Sequence, residues 1–204
     1  MNVSMVWITP NAEQVIVDTA RVSNPANQGK DGTRLIRYLV EHRHWSPFEL
    51  ASACVSITTS RAISQQIVRH RSFSYQEFST RYSAVASVEP IELRRQAEKN
   101  RQSSTEPMDD PRLAEIVDTA VAVAQTAYHD LLDAGVAREC ARMVLPVAAT
   151  TTIYMVGTIR SWCHYLDLRT SPDTQLEHRE IALGIAALLD EHLPTISSAM
   201  GWAA

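Results

Sequence analysis

Arg69-His70-Arg71-Ser72-Phe73-Ser74-Tyr75-Gln76-Glu77-Phe78-Ser79-Thr80-Arg81-Tyr82 is the stretch on which the reading of this chain turns. It combines three arginines, a histidine, four serine or threonine hydroxyls and four aromatic rings with one carboxylate, Glu77. The chain as a whole carries a formal net charge of −4. Between Arg61 and Tyr82, however, four arginines (61, 69, 71 and 81) face only Glu77, a local charge of +3. A cationic island in an acidic chain points to an anionic ligand, because a guanidinium offers paired donors that match phosphate oxygens. Aromatic rings between the charges suit a ligand that also carries flat rings. Together these features point to a nucleotide.

The rest of the composition narrows the class. At 204 residues, 45% hydrophobic and 21% charged, the chain suits one well-buried soluble domain. Its acidic balance argues against a general nucleic-acid coat. Cys54, Cys140 and Cys163 are odd in number and lack CxxC spacing, so they read as reduced thiols of a cytosolic protein, each buried and structural. Met1 to Pro10 is too short and mixed for a signal peptide, and no apolar run approaches the ~18–20 residues of a membrane span. There is no GxGxxG or GxxxxGK[ST], so a nucleotide here is held by neither a Rossmann nor a P-loop device.

Working outward, the pattern predicts a short strand over 3–8 and a helix capped by Asn11 through Ala20. A polar loop from Asn24 to Gly32 follows, then a helix over Thr33–Arg43. His44-Trp45-Ser46-Pro47-Phe48-Glu49 is a shaped turn, since Pro47 keeps Ser46 extended. Ser52–Thr58 alternates as a half-buried strand, with Ala53, Val55 and Ile57 on one side. A helix over Arg61–His70 with Ile63, Ile67 and Val68 inward delivers the opening stretch as a loop, where functional groups are displayed. Residues 89–112 are polar and read as a surface excursion. Leu113 to Leu132 traces one apolar stripe ending at Gly135, a core or subunit-contact face. A short helical piece, Ala137–Val144, carries Arg142. Val147–Val156 is apolar and β-branched, and strand and buried helix are not separable there. Gly157–Leu168 is predicted helical, with Arg160 and His164 one turn apart. Helices over Asp173–Asp190 and Pro194–Trp202 close the chain. No linker divides 1–204, so the fold expected is a single α+β domain, with a mostly antiparallel central sheet flanked by helices.

Three other chemistries fit parts of the pattern. His42 and His44 form an HxH pair without a third ligand nearby in sequence, so no metal site is assigned. His70 beside Ser72 and Ser74 lacks the GxSxG elbow of a hydrolase. A non-catalytic nucleotide- or RNA-binding module could use the same arginines and rings.

The spacing Arg69-His70-Arg71-x-x-Ser74-x-x-x-x-Ser79-x-Arg81-Tyr82 resembles RHRxxSxxxxSxRY, the signature of the flavin-dependent thymidylate synthases. Ala20-Arg21-Val22-Ser23 resembles that family's ARVS element, and His44-Trp45-Ser46-Pro47-Phe48-Glu49 its H-x-[ST]-P-F-E turn. Arg142-Met143-Val144-Leu145-Pro146 resembles RxxLP, and Arg160-Ser161 with Leu168-Arg169 the RS…LR element. The likeness spans roughly 18 to 180 and is closest in look to viral and phage members. It departs at Leu50, Thr158 and Asp173, where histidine, asparagine and histidine are common.

The resemblance implies methylation of dUMP to dTMP, with 5,10-methylenetetrahydrofolate as carbon donor, FAD as flavin and NADPH as reductant. It implies a cytoplasmic homotetramer (in the host cytoplasm if viral) with active sites shared between subunits, and neither nucleic acid nor membrane as partner. The dUMP residues it implies are Gln66, Arg69, Glu77, Ser79, Arg81, Arg142 and Arg169. Those for FAD are His44, Ser46, Arg69, His70, Arg71, Glu77, Arg160 and His164. Arg169 is the implied catalytic residue, activating the uracil. Phe73, Tyr75 and Phe78 then pack the loop in place and do not stack on bases.

Overall fold

The computed structural model describes residues 1–85 and 87–202. Ala86, Ala203 and Ala204, part of the domain expected over 1–204, lie outside the described residues. In chain order the elements are β1 (Asn2–Ile8), α1 (Ala12–Ala20), α2 (Thr33–Glu41), β2 (Ser52–Ser60), α3 (Arg61–Ile67), β3 (Ser74–Glu77), β4 (Arg94–Gln96) and β5 (Ser104–Pro107). Then come α4 (Pro111–Asp133), α5 (Arg138–Ala141), β6 (Thr150–Thr158), α6 (Ile159–Arg169), α7 (Leu176–Asp190) and α8 (Pro194–Met200). Short 3-10 turns cover Pro25–Asn27, Ser46–Leu50 and Arg142–Val144. The fold is α+β, with a four-stranded sheet in the order β1-β2-β6-β3 and a separate β4-β5 pair.

Backbone bonds at the strand ends show the pairing to be antiparallel. Arg61 N donates to Ala149 O at 3.0 Å, while Ile159 N donates to Ala51 O at 2.8 Å, so the end of β2 meets the start of β6. Thr9 N to Ser52 O at 2.9 Å and Phe78 N to Thr152 O at 2.9 Å do the same for β1 with β2 and β3 with β6. Val147–Val156, ambiguous by pattern, therefore becomes strand from Thr150. The strand runs through Gly157 and Thr158, which the pattern had given to the next helix. Gly157 is required there: a Cβ would lie 2.4 Å from the Phe73 ring.

The chain divides into two compact units, interleaved in sequence. The first comprises Met1, Thr58–Gln66 and Glu77–Thr152; the second Asn2–Ile57, Ile67–Gln76 and Ile153–Ala204. The second holds the larger core. Ile16, Ile36, Phe48, Val55, Ile153, Trp162 and Ile185 are all buried there, each contributing about 1.5–3 kcal/mol by leaving water. The alternation of β2 places Ala53, Val55 and Ile57 at zero exposure, as the sequence predicts.

The first unit has a smaller core of Val85, Tyr128, Ala141 and Ala149, with Leu131, Leu132, Val136 and Leu145 against it. The stripe of α4 is only half covered: Tyr128 is its one buried side chain, Leu131 and Leu132 pack against the core, and Ile116 is 64% exposed, as is Val123 beside the stripe. The polar excursion is a β4-β5 hairpin in which Arg94 pairs with Pro107 and Gln96 with Ser104. Its C-terminal end already belongs to α4. Asp110 accepts from Arg112 N at 3.0 Å and Pro111 occupies the first turn, a capping pattern that starts the helix two residues before Leu113.

Four other local expectations are corrected. Asn11 precedes α1 in a left-handed conformation (φ 53°) and makes no side-chain cap. Helix α3 stops at Ile67, so Val68 is 38% exposed and Arg69 and His70 begin the loop. Helix α7 begins at Leu176, after a turn that includes Asp173. Cys140 is exposed, whereas Cys54 and Cys163 are buried as expected. Among the described residues no helix is long and apolar enough to cross a membrane, and no group of three or more His, Cys, Asp and Glu is arranged to hold a metal ion.

Candidate active site

The residues expected at the nucleotide fall into both units: Gln66, Glu77, Ser79, Arg81 and Arg142 in the first, Arg69 and Arg169 in the second. Those expected at the flavin lie in the second unit, apart from Glu77.

In the first unit, Glu77 ends β3 and is gripped through one oxygen. Ser64 Oγ and Thr151 Oγ1 each donate to Glu77 Oε1 at 3.0 Å, and an Arg61 terminal nitrogen stands 3.8 Å from the same atom. Ser64 and Thr151 are nearly fully buried, and the Ser64 hydroxyl shares its proton between Glu77 and Arg61 O at 3.1 Å. Among the described residues these two hydrogen bonds and the ion pair all go to Oε1, and a carboxylate's second oxygen is a further acceptor. Thr80, also buried, accepts from Arg142 at 3.1 Å. Arg142 Nε also donates to Glu139 O at 3.3 Å, so this guanidinium is braced from two sides. Arg61, Thr80 and Arg142 line a hollow of about 280 Å³. A second hollow, about 440 Å³, is lined by Ser79, Arg81, Tyr82, Arg138 and Glu139. Arg81 lies 3.6 Å from the Glu139 carboxylate with both side chains more than half exposed, a pair worth little and readily exchanged for a ligand anion. Gln66 is half-buried.

In the second unit the loop after α3 is riveted down. Tyr75 OH shares its one proton between two carbonyls after the helix end, Ile67 O at 2.9 Å and His70 O at 2.8 Å, which also accept from His70 N and Phe73 N. Burial pushes that phenol up, so it stays protonated. Ser161 Oγ donates to Ser72 O at 3.1 Å, and Phe73 packs edge-on against Trp162 at 4.7 Å. Phe73 and Tyr75 thus pack the loop as predicted, whereas Phe78 is 39% exposed and Tyr82 85% exposed. The anchored backbone leaves Arg69 and Arg71 exposed.

His70 and Arg169, assigned by resemblance to different ligands, are bonded to each other: Arg169 Nε donates to His70 Nε2 at 2.8 Å. Burial first, and then the Arg169 charge, hold His70 down at about 4, so it is a neutral acceptor at neutral pH. Arg160 and Glu49 form an exposed ion pair. His164, on the exposed face of α6, meets Trp45 edge-on at 5.0 Å, and burial together with Arg160 lowers its pKa. Trp45, His164, Arg43 and Asp167 line a hollow of about 330 Å³. Ser46 opens its 3-10 turn, exposed, and His44 lies edge-on to Tyr38 at 5.8 Å. His42 stacks on Tyr38 at 4.0 Å, which accounts for the HxH pair by ring packing.

Ser64, Thr151, Thr80, Tyr165 and His178 are parts of these arrangements that sequence reasoning passed over. Two left a signal. Thr151 is a hydroxyl inside an apolar run, and His178 stands on the buried face of α7, three residues before Ile181.

The family described as thymidylate synthase complementing protein matches residues 4–195. A flavin-dependent thymidylate synthase of Synechocystis is 42% identical over 193 residues, 93% of this chain and 90% of that protein. A probable flavin-dependent thymidylate synthase of Paramecium bursaria Chlorella virus 1 is 44% identical over 197 residues, covering 94% and 91%. Among solved structures, a UMP/dUMP methylase, PolB, from Streptomyces cacaoi bound with 5-Br dUMP superposes with a TM-score of 0.86 at 30% identity, covering 98% of this chain and 94% of that one.

Proposed function

This chain belongs to the thymidylate synthase complementing protein family, that of the flavin-dependent thymidylate synthases, and on that premise we propose that it methylates C5 of dUMP to give dTMP. The carbon comes from 5,10-methylenetetrahydrofolate, tetrahydrofolate is released, and NADPH is the source of reducing equivalents. The observation that carries the reading is that the likeness runs along nearly the whole chain, signature included.

The residues present fit FAD. Exposed Arg69, Arg71 and Arg160 offer cationic forks for a pyrophosphate and for the electron-rich edge of an isoalloxazine. His44, Ser46, His70 and His164 add polar contacts, and Glu77 accepts from a hydroxyl. When bound, FAD supplies the hydride that completes the methyl group.

Arg142, braced on Thr80, binds the dUMP phosphate with Gln66, Ser79 and Arg81, and Arg81 exchanges Glu139 for the phosphate. Glu77 Oε2 accepts from a sugar hydroxyl, and Arg69 adds a further donor. Arg169 stabilises negative charge spread over N3 and the flanking carbonyls of the pyrimidine, which makes C5 nucleophilic. No cysteine attack is required: burial pushes the Cys54 and Cys163 thiols up, away from the thiolate form. The uncovered apolar side chains of α4 support a homotetramer with active sites shared between subunits. Unpaired cysteines support a cytoplasmic setting, the host's if the source is viral.

The test is tritium release from 5-tritiated dUMP by the yellow, FAD-loaded protein with methylenetetrahydrofolate and NADPH. Release that requires all three components is expected. Colourless protein that ignores dUMP overturns the reading.

A further inference from the structure

Two titratable groups of the second unit take no part in the reaction just described. Tyr165 on α6 is 1% exposed and His178 on α7 is 0% exposed, and the Tyr165 hydroxyl lies 3.0 Å from His178 Nε2. Burial holds the phenol protonated, so the hydroxyl can donate to a neutral His178 Nε2 or accept from its N–H, and either direction ties the two side chains together. The His70 ring stands edge-on to both, with centroids 4.8 Å from Tyr165 and 6.3 Å from His178. An arginine can only donate, so its 2.8 Å bond makes His70 Nε2 an acceptor. Arg169, Tyr75, Tyr165 and the two imidazoles face this cluster, and the Arg169 cation bears on both imidazoles. A bond through Nε uses the inner edge of the guanidinium and keeps the outer two nitrogens as a fork.

We propose that Tyr165 and His178 are positioning residues for Arg169. They hold the His70 ring edge-on and uncharged, so that Arg169 stays anchored through Nε with its full positive charge and its outer fork preset for the pyrimidine. A carboxylate in that place would also anchor Arg169, but it would cancel the charge that activates the ring. The proposal rests on the reading of Arg169 given above.

The experiment uses the FAD-loaded protein with dUMP, methylenetetrahydrofolate and NADPH, and compares Tyr165→Phe, His178→Ile, His178→Gln and Arg169→Ala. Tyr165→Phe and His178→Ile are expected to lower kcat for tritium release about tenfold, the loss of about one well-placed hydrogen bond, with KM for dUMP within about twofold. FAD content by absorbance stays unchanged. The acid limb of the kcat–pH profile moves toward neutrality, because a less constrained His70 takes up a proton and can no longer accept from Arg169. His178→Gln keeps an acceptor for Tyr165 and retains more of kcat than His178→Ile. Tyr165→Phe, which removes a single oxygen, decides the matter if His178→Ile does not fold. An unchanged kcat and acid limb in Tyr165→Phe, with Arg169→Ala inactive, overturns this proposal alone. An active Arg169→Ala overturns the functional reading of Arg169 as well.

Discussion

Glu77 in the first unit and Arg169 in the second are both single charges held by side chains, and they are held in opposite ways. Glu77 is an anion fixed by two buried hydroxyls, with a guanidinium nearby, all aimed at one oxygen. Arg169 is a cation fixed by a neutral imidazole, with a phenol and a second imidazole behind it. The first arrangement leaves a partly compensated acceptor, suited to orienting a hydroxyl. The second leaves the charge uncompensated, suited to drawing electron density from a ligand. The difference teaches that the choice of partner, as much as the charged group itself, sets what that group can do.

The largest test of the contrast is Arg169→Ala. Removing the uncompensated charge is expected to lower tritium release from 5-tritiated dUMP by about 10²–10³-fold, in the range for loss of one preset electrostatic donor. Next comes the loop that carries His70. Gly157→Ala drives a Cβ to 2.4 Å from the Phe73 ring, and overpacking of that kind is expected to cost about 1–3 kcal/mol, read as a lower urea midpoint. Glu77→Gln keeps the shape but removes the charge proposed to accept from the sugar. It is expected to raise KM for dUMP about tenfold with the unfolding midpoint little changed. A larger fall in kcat than rise in KM would place Glu77 in the chemistry and not in binding.

Acid stability reads the second arrangement alone. His70 is held down at about 4 and His178 at about 3, both from 6.5 and chiefly by burial. Below pH 6.5 the unfolded chain takes up protons that the folded chain refuses. Stability from these rings is therefore complete above 6.5 and is lost as pH falls toward 4 and then 3. Urea midpoints are expected to drop across that window, with a shallower drop in His178→Leu. A midpoint independent of pH there would show that the imidazoles are not held neutral.

How much of this was legible beforehand varied with the kind of signal. The alternation of Ser52–Thr58 was decisive because a strand with one buried face leaves period-two spacing in the sequence. The ten apolar positions along α4 carried an equally clear period but not their burial, because a helical stripe looks the same whether it meets a core or remains uncovered. Asp110-Pro111 was a readable start signal hidden in a polar stretch. Val147–Val156 could not be resolved by pattern: β6 buries one face through Thr151, Ile153 and Met155, but a threonine lies on that face and the large Tyr154 on the open one, so polarity does not track burial.

The site divides along the same line. The amino-acid sequence by itself determined the inventory: a cationic, hydroxyl-rich loop with one carboxylate, the further arginines 142, 160 and 169, and a spacing rare enough to identify a family. Tertiary structure alone decided who holds whom. Ser64, Thr80 and Thr151 were ordinary hydroxyls until α3, the turn after β3 and β6 brought them to Glu77 and Arg142. Tyr165 and His178 were core residues until α6 and α7 set them behind His70. The physical reason is that residue type and spacing are local properties of the chain. Hydrogen-bond direction, burial and the neutrality of an imidazole depend on neighbours far away along the chain, as His70 and Arg169 are, 99 residues apart.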